Sequence, residues 1–310
     1  MSSSAPSDVA LIRAEIRRRK RRDLWFGALG VLALALALLT VVTLFINMLI
    51  DGWARLTPEF FTSFPSRRAG QAGILSAWVG SLLVMLVTAS VAVPLGVAAG
   101  IWLEEYAPKH WLTDIIEINI NNLAGVPSII YGLLALGLFV YTFGLGQSIR
   151  TAGLTLALLI LPMIIVATRE AIRGIPQSIR EGAYALGATR WQMVRRHILP
   201  YSMPGIFTGV IIGMARAIGE TAPIITIGAL TFIAFLPPAP LVGTPPFVNF
   251  EWLSAPFTVM PIQIFNWTSR PEAAFQQNAA AASVILVAMT LMMNGLAIWL
   301  RYRLRKNLKW

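Results

Sequence analysis

The sequence lacks cysteine and has few charged residues. None of its 310 residues is a cysteine, so disulfide bonds, thiolate metal sites and a cysteine nucleophile are excluded. Charged residues make up 13% of the chain and hydrophobic residues 56%, whereas a soluble domain carries about a quarter charged residues. The composition therefore indicates a membrane protein.

Motifs for enzymatic chemistry are also missing. The chain has two histidines, His110 and His197, and neither belongs to a His-Glu-x-x-His zinc motif. It has no Gly-x-Ser-x-Gly nucleophile elbow, and no lysine follows a glycine, so a phosphate-binding loop for ATP is excluded. We therefore predict that this chain is not an enzyme: it has no catalytic residue, metal site or bound cofactor, and a separate chain uses any ATP that drives it.

Long apolar runs predict an all-α protein with six membrane-spanning helices, because about 20 apolar residues cross a bilayer. The predicted spans are Leu24–Ile50, Ala72–Leu103, Leu123–Phe143, Leu154–Thr168, Ile206–Phe235 and Ala279–Leu300. The first span is longer than the apolar core of a signal peptide, which has about 7–15 residues, and it is interpreted as a retained membrane anchor. The amphipathic segment Glu104–Asn122 is predicted to lie along the membrane interface. Residues 51–71 and 237–277 are predicted outer loops.

The basic residues are distributed unevenly around these spans. Nineteen lie on segments predicted to face the inside, five lie on outer segments, and Arg216 lies within a span. Because Lys and Arg mark cytoplasmic loops, we expect a multi-pass protein of the cell inner membrane with both termini in the cytoplasm. The basic tails are interpreted as topology signals and contacts to anionic membrane lipid, and no nucleic-acid partner is expected.

The segment Glu181–Pro200 is charged and helix-prone, and it lies between apolar runs. It must therefore face water or another protein. Its small residues permit the close approach of a partner, and Gly187 can adopt the left-handed conformation that ends a helix. The alternative, an amphipathic helix lying on lipid headgroups, usually has a wide apolar face. The stripe of small residues favours a protein partner.

The same segment resembles the cytoplasmic signature of the permease subunits of ABC importers, which reads Glu-Ala-Ala, three residues, Gly, nine residues, Ile, one residue, Leu-Pro. The corresponding positions in this chain are Glu181, Gly182, Ala183, Gly187, His197, Leu199 and Pro200. Two positions depart from the signature, since Gly182 replaces an alanine and His197 replaces an isoleucine. The resemblance implies a short helix, a turn at the glycine and a second helix, which dock into a groove of the ATPase subunit.

Three further stretches are similar to phosphate permeases, and the last one is similar to the PstA-type subunit: Asn121–Gly132, Arg216–Pro223 and Phe257–Gln277. The resemblance implies the MetI-like fold of type I importers. It also implies a PstC-type second permease, two ATP-binding subunits and a periplasmic or extracellular phosphate-binding protein as partners. The expected organisation is a basic tail (1–23), the first span and outer loop (24–71), the permease domain (72–300) with its cytoplasmic coupling loop (169–201), and a basic tail (301–310).

Charged residues inside the predicted spans are candidates for the substrate path. Arg216 and Glu220 are four residues apart on one predicted helix face, and a charge within a bilayer needs a partner or a water-filled path. In one alternative the pair is a structural salt bridge. In the other it lines the substrate path, where Arg216 donates to phosphate oxygens and Glu220 accepts a hydrogen bond from a protonated phosphate oxygen. Thr221 is a candidate for loosening the helix at a gate. Arg169 and Glu170 either reach the interface or belong to an inner gate.

The favoured hypothesis is a permease subunit of an ATP-driven phosphate importer, which forms half of the translocation path. Alternatives are a permease for another oxyanion, such as sulfate or molybdate, and a standalone channel or secondary transporter. A membrane-embedded enzyme acting on lipid is a third alternative, but the two scattered histidines offer it neither a nucleophile nor a metal cluster.

Overall fold

The structure is a computed structural model that describes residues 5–305 except 242 and 244–246. It divides into two compact units, one ending at Asp51 and one beginning at Gly52. The described residues are helical or irregular, apart from one isolated antiparallel bridge between Leu241 and Val248. The predicted all-α class is confirmed.

The described part of the first unit is helix α1 (Ala5–Gly52), which is 48 residues long and whose last residue begins the second unit. We predicted a separate basic tail before a span that starts at Leu24, but residues 5–23 continue the same helix. They contain no glycine and, after Pro6, no proline, and most are good helix formers. Arg19 also donates to Glu15 one turn away, at 2.9 Å. Nothing in this stretch therefore ends the helix.

The described part of the second unit contains a series of helices, most of them joined by short turns, with a longer connection at residues 227–259. Its α-helices are α2 (Pro58–Thr62), α3 (Leu75–Ile101), α4 (Trp111–Leu123), α5 (Ser128–Ala135), α6 (Ile149–Arg173), α7 (Gln177–Ala185), α8 (Arg190–Met193), α9 (Leu199–Gly219), α10 (Ala222–Thr226), α11 (Met260–Thr268) and α12 (Ala273–Arg305). Its π-helical turns are Trp102–Tyr106, Leu136–Thr142 and Val194–Ile198, and its 3-10 turns are Trp53–Arg55, Ala69–Gln71 and Glu251–Ser254.

Among the described residues, five helical segments are long and apolar enough to cross a membrane: α1, α3, α6, α8 with α9, and α12. A sixth is obtained if α4 and Ser128–Thr142 form one broken span, bent by 107°. The third span therefore begins later than predicted, since its helix covers Ser128–Thr142 within the predicted range Leu123–Phe143. Pro127 disfavours a helical conformation of the residue before it, and Gly125 lowers helix propensity at the same place.

The fifth predicted span, Ile206–Phe235, is wrong in its second half. Helix α9 begins earlier, at Leu199, and ends at Gly219. Pro223 explains this end, because in a continuous helix it could not donate to the carbonyl of Gly219 and its ring would clash there. The two prolines inside other spans, Pro94 and Pro162, leave their helices unbroken.

Small residues allow the central helices α3, α6 and α9 to pack closely. A Cβ atom at Gly100 of α3 would lie 2.7 Å from Cβ of Thr168 on α6. One residue earlier on α6, a Cβ atom at Gly209 of α9 would overlap the Cβ of Ala167. Such close approach of backbones is the usual way in which helices associate within a membrane. The three helices therefore form one tightly packed block.

At the N-terminal end of α3, Arg55 joins the loop before this helix to the start of α12. Its guanidinium donates to Oδ1 of Asn278 at 2.7 Å and to the carbonyl oxygens of Gly70, Ala69 and Ala72 at 2.9, 3.1 and 2.8 Å. It also lies over the ring of Phe60, with 5.3 Å between its Cζ and the ring centroid. All of these partners are neutral.

Candidate functional site

The pair Arg216 and Glu220 lies at the break between α9 and α10. Nε of Arg216 donates to Oε1 of Glu220 at 3.2 Å, which is the contact expected of the salt-bridge alternative. The predicted shared helix face is wrong, because α9 ends at Gly219 and Glu220 has an extended backbone with φ −76° and ψ 126°. Thr221 follows in the break and its carbonyl accepts bonds from Ile224 and Ile225 at the start of α10.

The surroundings of this break are tight. Gly132 of α5 lies against Pro223, since a Cβ atom on Gly132 would stand 2.7 Å from Cα of Pro223. A cavity of about 10 Å³ that Glu220 lines with Ser81 and Met85 has room for one water molecule. The side chain of Arg216 is 34% exposed and that of Glu220 is 19% exposed. Because the cavity is too small for an anion, an anion can reach Arg216 in this conformation only at the exposed part of its side chain.

Arg169 and Arg173, at the C-terminal end of α6, meet carboxylates from two other elements. Nε of Arg169 lies 3.5 Å from Glu104, which follows α3, and its guanidinium also contacts Glu117 of α4. Arg173 contacts the same two carboxylates, at 2.9 Å and 3.2 Å. Two arginines therefore share two glutamates, and the network joins α3, α4 and α6.

The structure separates the two candidates that the sequence placed together at this helix end. The Arg169 side chain is only 7% exposed, so of the two alternatives for this residue, the structure gives no support to an extension to the membrane interface. Glu170 is 65% exposed and lies 3.5 Å from Arg173 at the edge of the network. Arg169 is buried because the carboxylates of the preceding connection fold over it, which the sequence of α6 alone does not reveal.

Residues 174–198, here called the central loop, form a helix–turn–helix. Helix α7 ends beside Gly187, which has φ +80°, a conformation that favours glycine. Thr189 then begins α8 with a capping box, in which its hydroxyl accepts from the Gln192 amide and its own amide donates to the Gln192 side chain. The helix, the glycine turn and the second helix that the signature implies are all present.

An apolar cluster holds the two helices of the central loop together and joins them to the end of α6. Its buried members are Ile172, Ile175, Ala183, Met193, Val194 and Ile198. By contrast, Leu186 is 90% exposed and Trp191 is 60% exposed beside the Gly187 turn. The loop thus shares a core with the end of α6 and presents large apolar side chains at its tip, which the signature did not single out.

The burial pattern explains both departures from the signature. Position 197 is only partly buried while Ile198 is fully buried, so a histidine at 197 does not enter the loop core. Gly182 is exposed, and a Cβ atom there would meet nothing within 4 Å. Alanine and glycine are therefore sterically equivalent at position 182. Of the other signature positions, Glu181 is exposed, Ala183 is buried, and Leu199 and Pro200 begin α9.

The fold of the chain is that of ABC transporter permeases. It superposes on a chain of a bacterial ABC transporter involved in the import of the acidic polysaccharide alginate with a TM-score of 0.61 and 15% identity, covering 93% of this chain and 99% of the other. The chain belongs to the family described as the inner membrane component of binding-protein-dependent transport systems, which matches residues 92–309. It is therefore a multi-pass inner membrane protein and one subunit of an ABC importer.

Two relatives match nearly the whole chain. One is a probable ABC transporter permease protein, YqgI, of Bacillus subtilis, 33% identical over 91% of this chain and 95% of its own length. The other is the phosphate transport system permease protein PstA of Yersinia pestis, 30% identical over 90% of this chain and 92% of its own. The predicted membership of the ABC permeases is confirmed.

Proposed function

We propose that this chain is a permease subunit of an ATP-driven importer of inorganic phosphate. The observation that carries the proposal is the central loop, which is packed on the end of α6 and exposes Leu186 and Trp191 around the Gly187 turn. Large apolar side chains in this position are typical of a surface that a partner covers. The choice of phosphate is supported by the relative of 30% identity that is a phosphate transport system permease.

The proposed assembly contains a PstC-type second permease, two ATP-binding subunits and a phosphate-binding protein. The central loop docks on an ATP-binding subunit, so that the ATP is bound and hydrolysed outside this chain. Both termini and the central loop face the cytoplasm, in agreement with the excess of basic residues on these segments. Within the chain, residues 72–300 are the permease domain and residues 24–71 provide the first span and an outer loop.

Arg216 and Glu220 are proposed to line the substrate path at the break between α9 and α10. The partly exposed guanidinium offers donors to phosphate oxygens, and Glu220 accepts a bond from a protonated phosphate oxygen. A non-helical backbone within membrane depth is tolerated where it lines a cavity, which favours a path beside Thr221. Arg169 and Glu170 are proposed to belong to an inner gate.

The coupling role of the central loop is tested with the assembled complex in proteoliposomes. The variant Gly187→Pro cannot adopt φ +80°, because proline fixes φ near −65°, so we expect ATP-dependent phosphate uptake to fall to background. Gly182→Ala is the matched control, since it adds one methyl group on the same loop in open space. Retained uptake and coupling in Gly187→Pro contradict the docking role.

The role of Glu220 is tested by comparing the uptake of phosphate and sulfate. Sulfate has no proton to donate at neutral pH, so Glu220→Gln is expected to narrow the preference for phosphate over sulfate. Glu59→Gln, at an exposed carboxylate outside the proposed path, is the control. If the uptake of both anions is the same in Glu220→Gln and in the unaltered protein, Glu220 has no part in selecting the substrate.

A further inference from the structure

One helical turn at the C-terminal end of α3 contacts arginines on three other helices, α6, α7 and α8. This turn, Trp102–Tyr106, is π-helical. Its Glu104 meets Arg169 and Arg173 at the end of α6. The next two residues face the central loop, since Glu105 meets Arg180 on α7 and the ring of Tyr106 lies under Arg190 of α8, 5.6 Å from its Cζ to the ring centroid.

The pair Arg180 and Glu105 is the most buried of these contacts to the central loop. Nη2 and Nε of Arg180 donate to Oε1 of Glu105 at 2.9 Å and 3.1 Å, and the two side chains are 14% and 7% exposed. Arg180 also donates to the carbonyl oxygens of Ile175 at 2.8 Å and Ile172 at 3.1 Å. The guanidinium of Arg180 on α7 therefore binds the end of α6, the connection between α6 and α7, and the turn after α3.

The π-helical geometry helps to explain how neighbouring residues reach different partners. In an α-helix, consecutive side chains are about 100° apart. A π turn widens the helix by one residue per turn, and such turns are frequent at functional sites. Glu104 is directed to α6 and Glu105 to α7. The turn thus connects the packed block of α3, α6 and α9 to both helices of the central loop.

We propose that the turn Trp102–Tyr106 is a coupling joint, in which the pair Arg180–Glu105 carries a displacement of the central loop to α3. This inference depends on the proposed docking of the central loop on an ATP-binding subunit. Arg180 and Glu105 act through the helices they join and are positioning residues. Without their contact, a displacement of α7 is not transmitted to α3, and fewer phosphate ions are imported for each ATP that is hydrolysed.

The test measures phosphate taken up and ATP hydrolysed in the same proteoliposomes that contain the full complex. The variants are Arg180→Gln, Glu105→Gln and the double variant of the two. We expect each to lower the number of phosphate ions imported per ATP about fivefold or more, the lower end of typical coupling between sites. Because both residues act through one contact, the double variant should be no worse than the singles.

Two further variants distinguish coupling from a general loss of structure. Arg180→Lys keeps the charge that pairs with Glu105 but loses the forked guanidinium, so we expect its ratio of phosphate to ATP to lie between those of the unaltered protein and of Arg180→Gln. Arg67→Gln removes an exposed arginine near the opposite end of α3 and should leave the ratio unchanged.

Each single variant leaves one buried charge without its partner, which is strongly unfavourable and is a reason for a single variant to fail to assemble. The double variant has no such charge and decides the question in that case. A normal ratio in the double variant overturns the coupling joint, and so do losses in the two singles that multiply in the double. Absence of ATP-dependent phosphate uptake by the unaltered complex contradicts the proposed function instead, so the two failures are distinguishable.

Discussion

The two ends of α3 are held by arginines in different ways. At the N-terminal end, Arg55 donates only to neutral oxygens, those of Asn278 and of three backbone carbonyls. At the C-terminal end, Arg169, Arg173 and Arg180 meet the carboxylates of Glu104, Glu105 and Glu117. The helix between them has 27 residues, which corresponds to about 40 Å.

This difference suggests different mechanical roles for the two ends. The partners of Arg55 are fixed by the backbone and by one amide, so that contact has a single arrangement. At the other end, Glu104 and Glu117 each lie within 4 Å of both Arg169 and Arg173, and a small shift of α6 exchanges one partner for another. We therefore expect the first end to be a static brace and the second to allow movement.

The largest effect on stability is expected from Arg169→Ala. The arginine is almost fully buried between two carboxylates, and removing one partner of a buried ion pair costs about 3 kcal/mol or more. Thermal unfolding of the purified protein in detergent measures the loss. A melting temperature equal to that of the unaltered protein contradicts the buried network.

A smaller loss of stability is expected from Arg55→Ala at the N-terminal end of α3. The variant leaves Asn278 and three carbonyl oxygens without their donor, and unsatisfied groups that are partly reached by water cost about 2 kcal/mol in total. The loss should be independent of salt, because no partner carries a charge. The unfolding midpoint at low and high salt checks this, and a loss that shrinks in high salt shows that the neutral contacts do not account for it.

The smallest effect is expected from Arg173→Gln. This side chain is 47% exposed, and exposed ion pairs contribute about 0–1 kcal/mol. The effect should diminish further at high ionic strength, since salt screens exposed charges. Unfolding curves in low and high salt give the measurement. A loss as large as that of Arg169→Ala would mean that the two arginines contribute equally.

The sequence predicts the helices of this protein better than their ends. Hydropathy located each apolar segment, and the glycine turn of the central loop followed from the conformational preference of Gly187. The end of α9 at Gly219 was missed although Pro223 signals it, because Arg216–Pro223 lies within a long apolar run and was treated as continuous helix. The third span was found, and only its start differs, at Ser128 after Pro127 instead of at Leu123.

Contacts between distant segments were beyond the reach of the sequence. Glu105 and Arg180 are both charged residues next to apolar runs, and their sequence offers no indication that they meet. The pair Arg216–Glu220 was predicted only because the two residues are near each other in the chain. Burial within the central loop, which accounts for His197 and Gly182, likewise depends on how α7 and α8 fold against each other.

The comparison of the two ends of α3 is tested most directly by the number of phosphate ions imported per ATP hydrolysed. The measurement compares Arg55→Ala with the double variant Arg180→Gln, Glu105→Gln in proteoliposomes that contain the full complex. Our account predicts a normal ratio for Arg55→Ala and a ratio lowered about fivefold or more for the double variant. Equal ratios for the two would contradict it.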